Sequence, residues 1–375
     1  MPRSWNLRTF SLILIAFATI QSFSSQSNGI SALRSSINGP TALALDNKGH
    51  LYVIEGQEDR VRRIDLREGT ISTAAGSGRD SKGNCVHRDG IQATRACLHY
   101  PVSLAVDSLG NLFIGEMAGY VRKVDVSSGI ISTVAGSGHF GDTVEGSSAI
   151  SADFWSIDGL AIDADGNLFI ADARQGRIFR LDGKSGLICQ FAGNGKHGFR
   201  GDGGIALKAS FRFAGSISLD ESGSLLIADY GNCRIRLVEH ASGLVRTVAV
   251  TGKVRDDGSC SAGNLEPGPY PSDAVADSLG NIYFVEGAMD IVKHVNAKTL
   301  SLSTIVGSGI KGYDGDGGLA AKARLNNPSG LAIDRDGNLY ISEYVGNRIR
   351  RVDATSKKIT TVGGNGLPHR VDVQM

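Results

Sequence analysis

The chain has 375 residues, 39 basic and 38 acidic side chains, and 50 glycines. The balanced charge and the lack of a long basic run exclude the electrostatic footprint of a nucleic-acid binder. Glycine at about twice its usual share of roughly 7% describes a chain that turns every few residues.

Arg3 and Arg8 precede an apolar stretch at 10–18, followed by Ser22, Ser24 and Ser25. This is the pattern of a cleaved secretory signal, expected at residues 1–24 and followed by a lead-in at 25–39. The apolar run is shorter than the roughly 20 residues that span a bilayer, and no later segment is long enough. The expected location is therefore extracellular.

From residue 40 a single phrase recurs. It is anchored at Asp46, Asp107, Asp163, Asp220, Asp277 and Asp334, with gaps of 61, 56, 57, 57 and 57 residues. A fixed period of this size marks a repeat architecture, in which one unit cannot bury its apolar face alone. In the last copy, Leu331-Ala332-Ile333 is a short apolar run ending in Asp334, and Asp336-Gly337-Asn338 supplies turn chemistry. Leu339-Tyr340-Ile341 is a second strand. Residues 348–353 alternate polar and apolar, and Ile359-Thr360-Thr361-Val362 is β-branched. Short strands joined by tight turns predict an all-β, six-bladed propeller of four-stranded antiparallel blades over residues 40–366, with a tail at 367–375.

Residues 328–363 read Pro-x-Gly-Leu-Ala-x-Asp, Gly-Asn-Leu-Tyr-Ile, an acid, Asn-Arg-Ile-Arg-Arg-Val-Asp and Ile-Thr-Thr-Val-x-Gly. This pattern resembles the NHL repeat family. The linker at 309–318, with Ala320, Ala323 and Leu325, resembles the long-repeat form of its secreted, teneurin-like members. The resemblance implies a propeller. It leaves function open, because the family includes RNA binders, adhesion modules and a lyase, and function belongs to the site.

Five cysteines suit an oxidising compartment. Cys85 and Cys97 share the linker between blades 1 and 2 and are expected to pair. Cys233, in a turn of blade 4, and Cys260, in the next linker, fall on the same face as a second candidate pair. Cys189 is expected to be a buried small hydrophobe.

An acid closes every second strand: Glu55, Glu116, Asp172, Asp229, Glu286 and Glu343. Arg60, Arg177, Arg234 and Arg348 follow five residues later and are expected to pair with them. Tyr120 and Ile291 take that place in blades 2 and 5, so Glu116 and Glu286 are expected to lack this partner. The inner strands open on Thr41, Val102, Asp158, Gly215, Ser272 and Ser329, followed by Ala42, Ser103, Gly159, Ser216, Asp273 and Gly330. Only Asp158 and Asp273 are charged. Together with Glu116 and Glu286 they are expected to form an acidic ligand pocket at the axial mouth.

No histidine set falls on the channel positions, so zinc chemistry of the lyase branch is not supported. His87, His99, His139 and His197 sit in linkers and are expected to be solvated. The Asp-x-Asp-Gly runs at 163–167 and 334–338 read as turns, and none has the distal glutamate of an EF-hand loop. Asp314-Gly315-Asp316, in a linker, is the remaining calcium candidate; otherwise no cofactor is expected. The expected function is a module that binds an extracellular protein or small ligand through the linker-bearing face, with Phe140, Trp155, Phe199, Tyr270 and Tyr313. The alternative is a metal-dependent hydrolase or lyase of the lactonase-like six-bladed type. A channel-bound divalent cation would then be held by Asp158, Asp273 and Glu116.

The cysteine reading predicts a Cys85–Cys97 link in the secreted protein, with loop closure worth on the order of 3 kcal/mol. Peptide mapping without reductant checks it; two free thiols there would refute it.

Overall fold

A computed structural model describes residues 29–78, 87–254, 260–261 and 268–368. The signal segment, Cys85, the side chain of Cys260 and residues 369–375 lie outside the described residues. Each repeat is a four-stranded antiparallel meander, and six of them make the propeller. In blade 6 the strands run Pro328–Ile333, Leu339–Glu343, Arg348–Val352 and Ile359–Gly363. Blades 1 to 5 open on Pro40–Leu45, Pro101–Val106, Gly159–Ile162, Ala214–Leu219 and Pro271–Ala276.

The repeating aspartate is a turn device. Asp334 Oδ1 accepts from the Asp336 and Asn338 amides at 3.1 and 2.8 Å, and Asn338 Oδ1 accepts from the Ala354 amide at 3.0 Å. One Asx turn thus ties two hairpins together, and Asn111, Asn167 and Asn281 repeat the link. This satisfies backbone donors that the strands leave unpaired.

The core lies between blades, as six apolar clusters in six seams. Five seams receive a short 3-10 turn from the linker. Ala93, Ala149, Ala206 and Ala320 start four of these turns, and all are buried. The small side chain lets the turn approach the outer strand, where Gly76, Gly136, Gly193 and Gly307 donate to those alanine carbonyls at 2.8–3.0 Å. The fifth copy comes from before blade 1. Ile30–Ser31 pairs with the outer strand Thr70–Ala75. Ala32 then accepts from Gly364 at 2.9 Å. A Cβ on Gly364, at φ +85°, would lie 2.2 Å from the Asn347 carbonyl, so only glycine fits this approach. The ring therefore closes with blades 1 and 6 side by side, sharing one apolar cluster.

Three blades carry a second device in their interiors. Arg122, Arg236 and Arg350 are fully buried in the third strands of blades 2, 4 and 6. Each faces the acid ending its second strand: Glu116 at 3.6 Å, Asp229 at 3.7 Å and Glu343 at 3.0 Å. Each also meets a linker acid: Asp89 at 2.8 Å, Asp202 at 2.6 Å and Asp316 at 2.7 Å. The guanidinium fork also reaches a linker carbonyl, that of Arg88, Arg200 or Asp314. Linker and blade are joined through one side chain.

Removing one partner of a buried pair costs roughly 3–5 kcal/mol, because the other charge stays buried alone. Arg350→Met is expected to lower unfolding stability by about 3 kcal/mol or more in denaturant titration. A loss under about 1 kcal/mol would mean that the clamp adds nothing to the blade.

Candidate functional site at the channel mouth

The inner strands enclose an axial channel of about 580 Å³, and all twelve opening positions named from the sequence line it. Asp158 and Asp273 are the charged groups among them. Asp273 acts as a cross-blade tie. It accepts from Leu331 N at 2.6 Å, from Ala274 N at 2.9 Å and from the Ser216 hydroxyl, so it touches blades 4, 5 and 6. Burial pushes its carboxyl up to about 6. Asp158 accepts from Ala173 N at 3.3 Å, and burial raises its pKa as well.

The other two expected pocket acids are elsewhere. Glu116 and Glu286 are 0% and 1% exposed and line no part of the channel. Neither lacks a cation: Glu116 meets Arg122, and Glu286 meets Lys293 Nζ at 2.9 Å. The expectation of a four-acid pocket is corrected for a register reason. The partner comes from the middle of the third strand, two residues beyond Tyr120 or Ile291. Among the described residues Arg177, Arg234 and Arg348 make no direct ion pair with the acids expected as their partners, although the charges of Arg234 and Arg348 still favour ionised Asp229 and Glu343. Arg234 lies over Phe199 at 3.6 Å and Arg348 over Tyr313 at 3.2 Å. In blade 2 the arrangement is exchanged: Tyr120 takes the arginine place and stacks on His87 at 4.2 Å. Only in blade 1 does the expected pair, Glu55–Arg60, occur among the described residues.

The blade without a clamp is blade 3. Phe179 stands where the other blades have Arg62, Arg122, Arg236, Lys293 and Arg350. Asp172, fully buried, accepts instead from Trp155 N at 2.7 Å and Gln175 N at 3.0 Å. Burial, with Asp158 nearby, pushes its carboxyl up to about 6. Aligning the third strands, rather than the residues just after the turn, would have found this.

Other sequence readings also meet the structure. Asp314 pairs with Arg324 at 2.6 Å and Asp316 with Arg350, so both calcium candidates are held by arginines. Among the described residues no three His, Cys, Asp or Glu side chains converge as metal ligands would. Of the linker histidines, His87 and His99 lie beside each other with ring centroids 6.1 Å apart, His99 faces Glu116 at 3.7 Å, and His197 lies beside Phe213. Cys189 is exposed and free, not buried, because it alternates with the buried Ile188 on an outermost strand. Cys97 and Cys233 are not free thiols. Their expected partnerships fall outside the described side chains.

What the sequence reading missed is a rim. Trp155 was named; Tyr100, Met117, Phe213 and Tyr230 were not, and these five are 40–59% exposed on the linker-bearing face. Tyr230 stacks on Tyr270 at 4.7 Å between two recesses of about 330 and 590 Å³, which also contain Arg174 and Lys311. Tyr100 and Phe213 hold φ of +51° and +54° directly before their inner strands. Blades 1 and 6 place Gly39 and Asn327 in that conformation. An aromatic side chain there costs of order 1–3 kcal/mol.

Comparison with known proteins agrees with the repeat. Teneurin-1 of Mus musculus is 28% identical over 233 residues, 56% of this chain and 8% of its own length. NHL repeat-containing protein 2 of Bos taurus is 26% identical over 275 residues, 64% of this chain and 37% of its own length. Among solved structures, a chain of a nidogen/laminin complex matches with TM-score 0.53 at 14% identity, covering 83% of this chain and 91% of its own. A streptogramin B lyase matches at 0.51 and 13%, covering 88% and 96%. At these identities the two structures share the fold alone. No family model matches the chain. The chain spans a small part of the length of the teneurins it matches.

Asp172 gives a pH signature. Its folded pKa is raised, so its contribution to stability is full below about 3.8 and is lost as pH rises through about 6. Asp172→Asn does not titrate. The melting temperature of the variant minus that of the native chain should therefore rise between pH 4 and 7.5. Parallel profiles would refute the shift.

Proposed function

We propose that this chain, a propeller of NHL-type repeats, is a secreted module that binds an extracellular protein through the aromatic rim around its channel mouth. The observation that carries the reading is the pair Tyr100 and Phe213. Both are exposed aromatics, and both are kept in a left-handed backbone where sister blades use Gly39 or Asn327. Strain retained at the surface points to use at that surface. The stacked Tyr230 and Tyr270 add rigid, amphipathic area, which protein interfaces favour. The rim extends beyond either recess, so a protein suits it better than one small molecule. The fold neighbour from a nidogen/laminin complex offers a precedent for a protein partner. The basic and apolar pattern at residues 1–24 supports secretion. Asp158 and Asp273 would then shape the floor of the mouth, and the ligand-binding role first assigned to them reduces to that.

The test uses a variant that should fold at least as well as the native chain. Tyr100→Gly with Phe213→Gly relieves both strained positions, so the melting temperature should hold or rise. Immobilised on a surface and exposed to concentrated secreted material, this double variant should retain bound protein at least tenfold less than the native chain. Leu279→Ala alters an exposed side chain on the opposite face and should retain it fully. Equal retention by the double variant overturns the reading.

A further inference from the structure

We infer that the outer seam between blades 5 and 6 is a binding site for a small amphipathic anion, an aromatic or aliphatic carboxylate. The seam holds a cavity of about 390 Å³ on the face opposite the rim. That is within the range of roughly 300–1,000 Å³ typical of small-molecule pockets. Its walls are mostly apolar and include Ile305, Leu319, Leu339 and Val352, and two basic side chains, His294 and Lys357, border it. Among the described residues, neither base takes part in an ion pair. Asp353 also borders the cavity, but its carboxylate accepts from Ser356 N at 2.8 Å and pairs with Arg351 at 3.4 Å.

Two departures from the repeat meet here. The turn between the third and fourth strands carries glycine at φ +64° to +71° in blades 1 to 4, at Gly69, Gly129, Gly186 and Gly243. Blade 6 puts Lys357 there, at φ +56°. A lysine in that conformation is unfavourable, and its backbone carbonyl accepts from the Ala320 amide at 2.9 Å, at the cavity wall. The second departure is His294, which stands where blades 1, 3 and 6 have Arg63, Arg180 and Arg351. The shorter side chain leaves room at the edge. Burial, and the nearby charge of Lys357 opposed by Asp277, set His294 below its ordinary value. Ile305 also lines the chamber, at the position where blades 1, 2, 4 and 6 have Ala74, Val134, Val248 and Val362. In blade 3 its counterpart is Phe191, which packs edge-on against Phe169 at 4.9 Å in the seam core. Isoleucine leaves that volume open in blade 5. An apolar chamber edged by the Lys357 ammonium, with the His294 imidazole beside it as a hydrogen-bonding group, suits an apolar body with an anionic head.

The test titrates the full chain with 1-naphthoate by calorimetry, beside its neutral counterpart 1-naphthalenemethanol. The acid should bind with one-to-one stoichiometry, and the alcohol at least tenfold more weakly. Lys357→Gly restores the residue that four blades use at this turn, so it should fold normally and weaken naphthoate binding at least tenfold. Ile305→Phe copies the packing of blade 3 and should abolish binding of both probes. Its melting temperature shows whether the variant is folded; if it is not, Lys357→Gly alone decides. No heat from naphthoate up to its solubility, equal affinity for acid and alcohol, or native affinity in Lys357→Gly each overturns the inference.

Discussion

The interior of each blade contains a carboxylate that water does not reach, and the rest of the architecture answers that fact. A buried acid needs hydrogen bonds and an opposite charge, since the cost of desolvating it is otherwise several kcal/mol. Arg122, Arg236 and Arg350 supply the charge, and the same guanidinium groups hold Asp89, Asp202 and Asp316 in the linkers. Fixing the linker acid fixes the path of the linker. That path delivers the small alanine turn to the seam between blades, and the filled seams make a ring from units that could not stand alone. The ion pair is better understood as a registry device than as a reserve of stability, because well-packed apolar groups of similar volume can be as stable.

Blades 3 and 5 show what happens where the device is altered. Phe179 fills the arginine place in blade 3 and completes an apolar cluster with Phe154, its edge-on neighbour at 5.8 Å. The displaced charge problem is met by backbone amides at Asp172. In blade 5 a lysine replaces the guanidinium, a point charge in place of a planar fork. The segment preceding that blade also lacks the alanine pair that the other linkers insert into their seams. The repeat thus accepts two chemical solutions to one problem, and burial raises the acid in blades 3 and 5 as it does in the clamped blades 4 and 6.

The fold was legible in the sequence because its determinants are local. An Asx turn, a glycine and an apolar triplet recur at a spacing that short-range chemistry enforces, and the channel positions follow from counting along each strand. The charge network was not legible in the same way. Arg60 and Arg62, or Arg348 and Arg350, are separated by two residues and share a strand face, so spacing alone does not say which lies deeper. Depth depends on the neighbouring linker, whose acids come from about 34 residues upstream. The rim was hidden for a different reason. Tyr100 and Phe213 look like ordinary loop aromatics until their backbone angles are known, and Gly39 and Asn327 at the equivalent places do not resemble them in sequence.

The closing seam has a mechanical consequence. Residues 32–35 and 364–365 come from opposite ends of the ring, and they meet through Gly364 and Asn365 amides at 2.9 and 3.0 Å and the Asn365 side chain at 3.2 Å. Covalent linkers cross the other five seams, whereas among the described residues non-covalent contacts alone cross this one. Tension applied between the two ends of the chain would therefore fall first on this seam, and the propeller would open there like a clasp, with its six blades still folded.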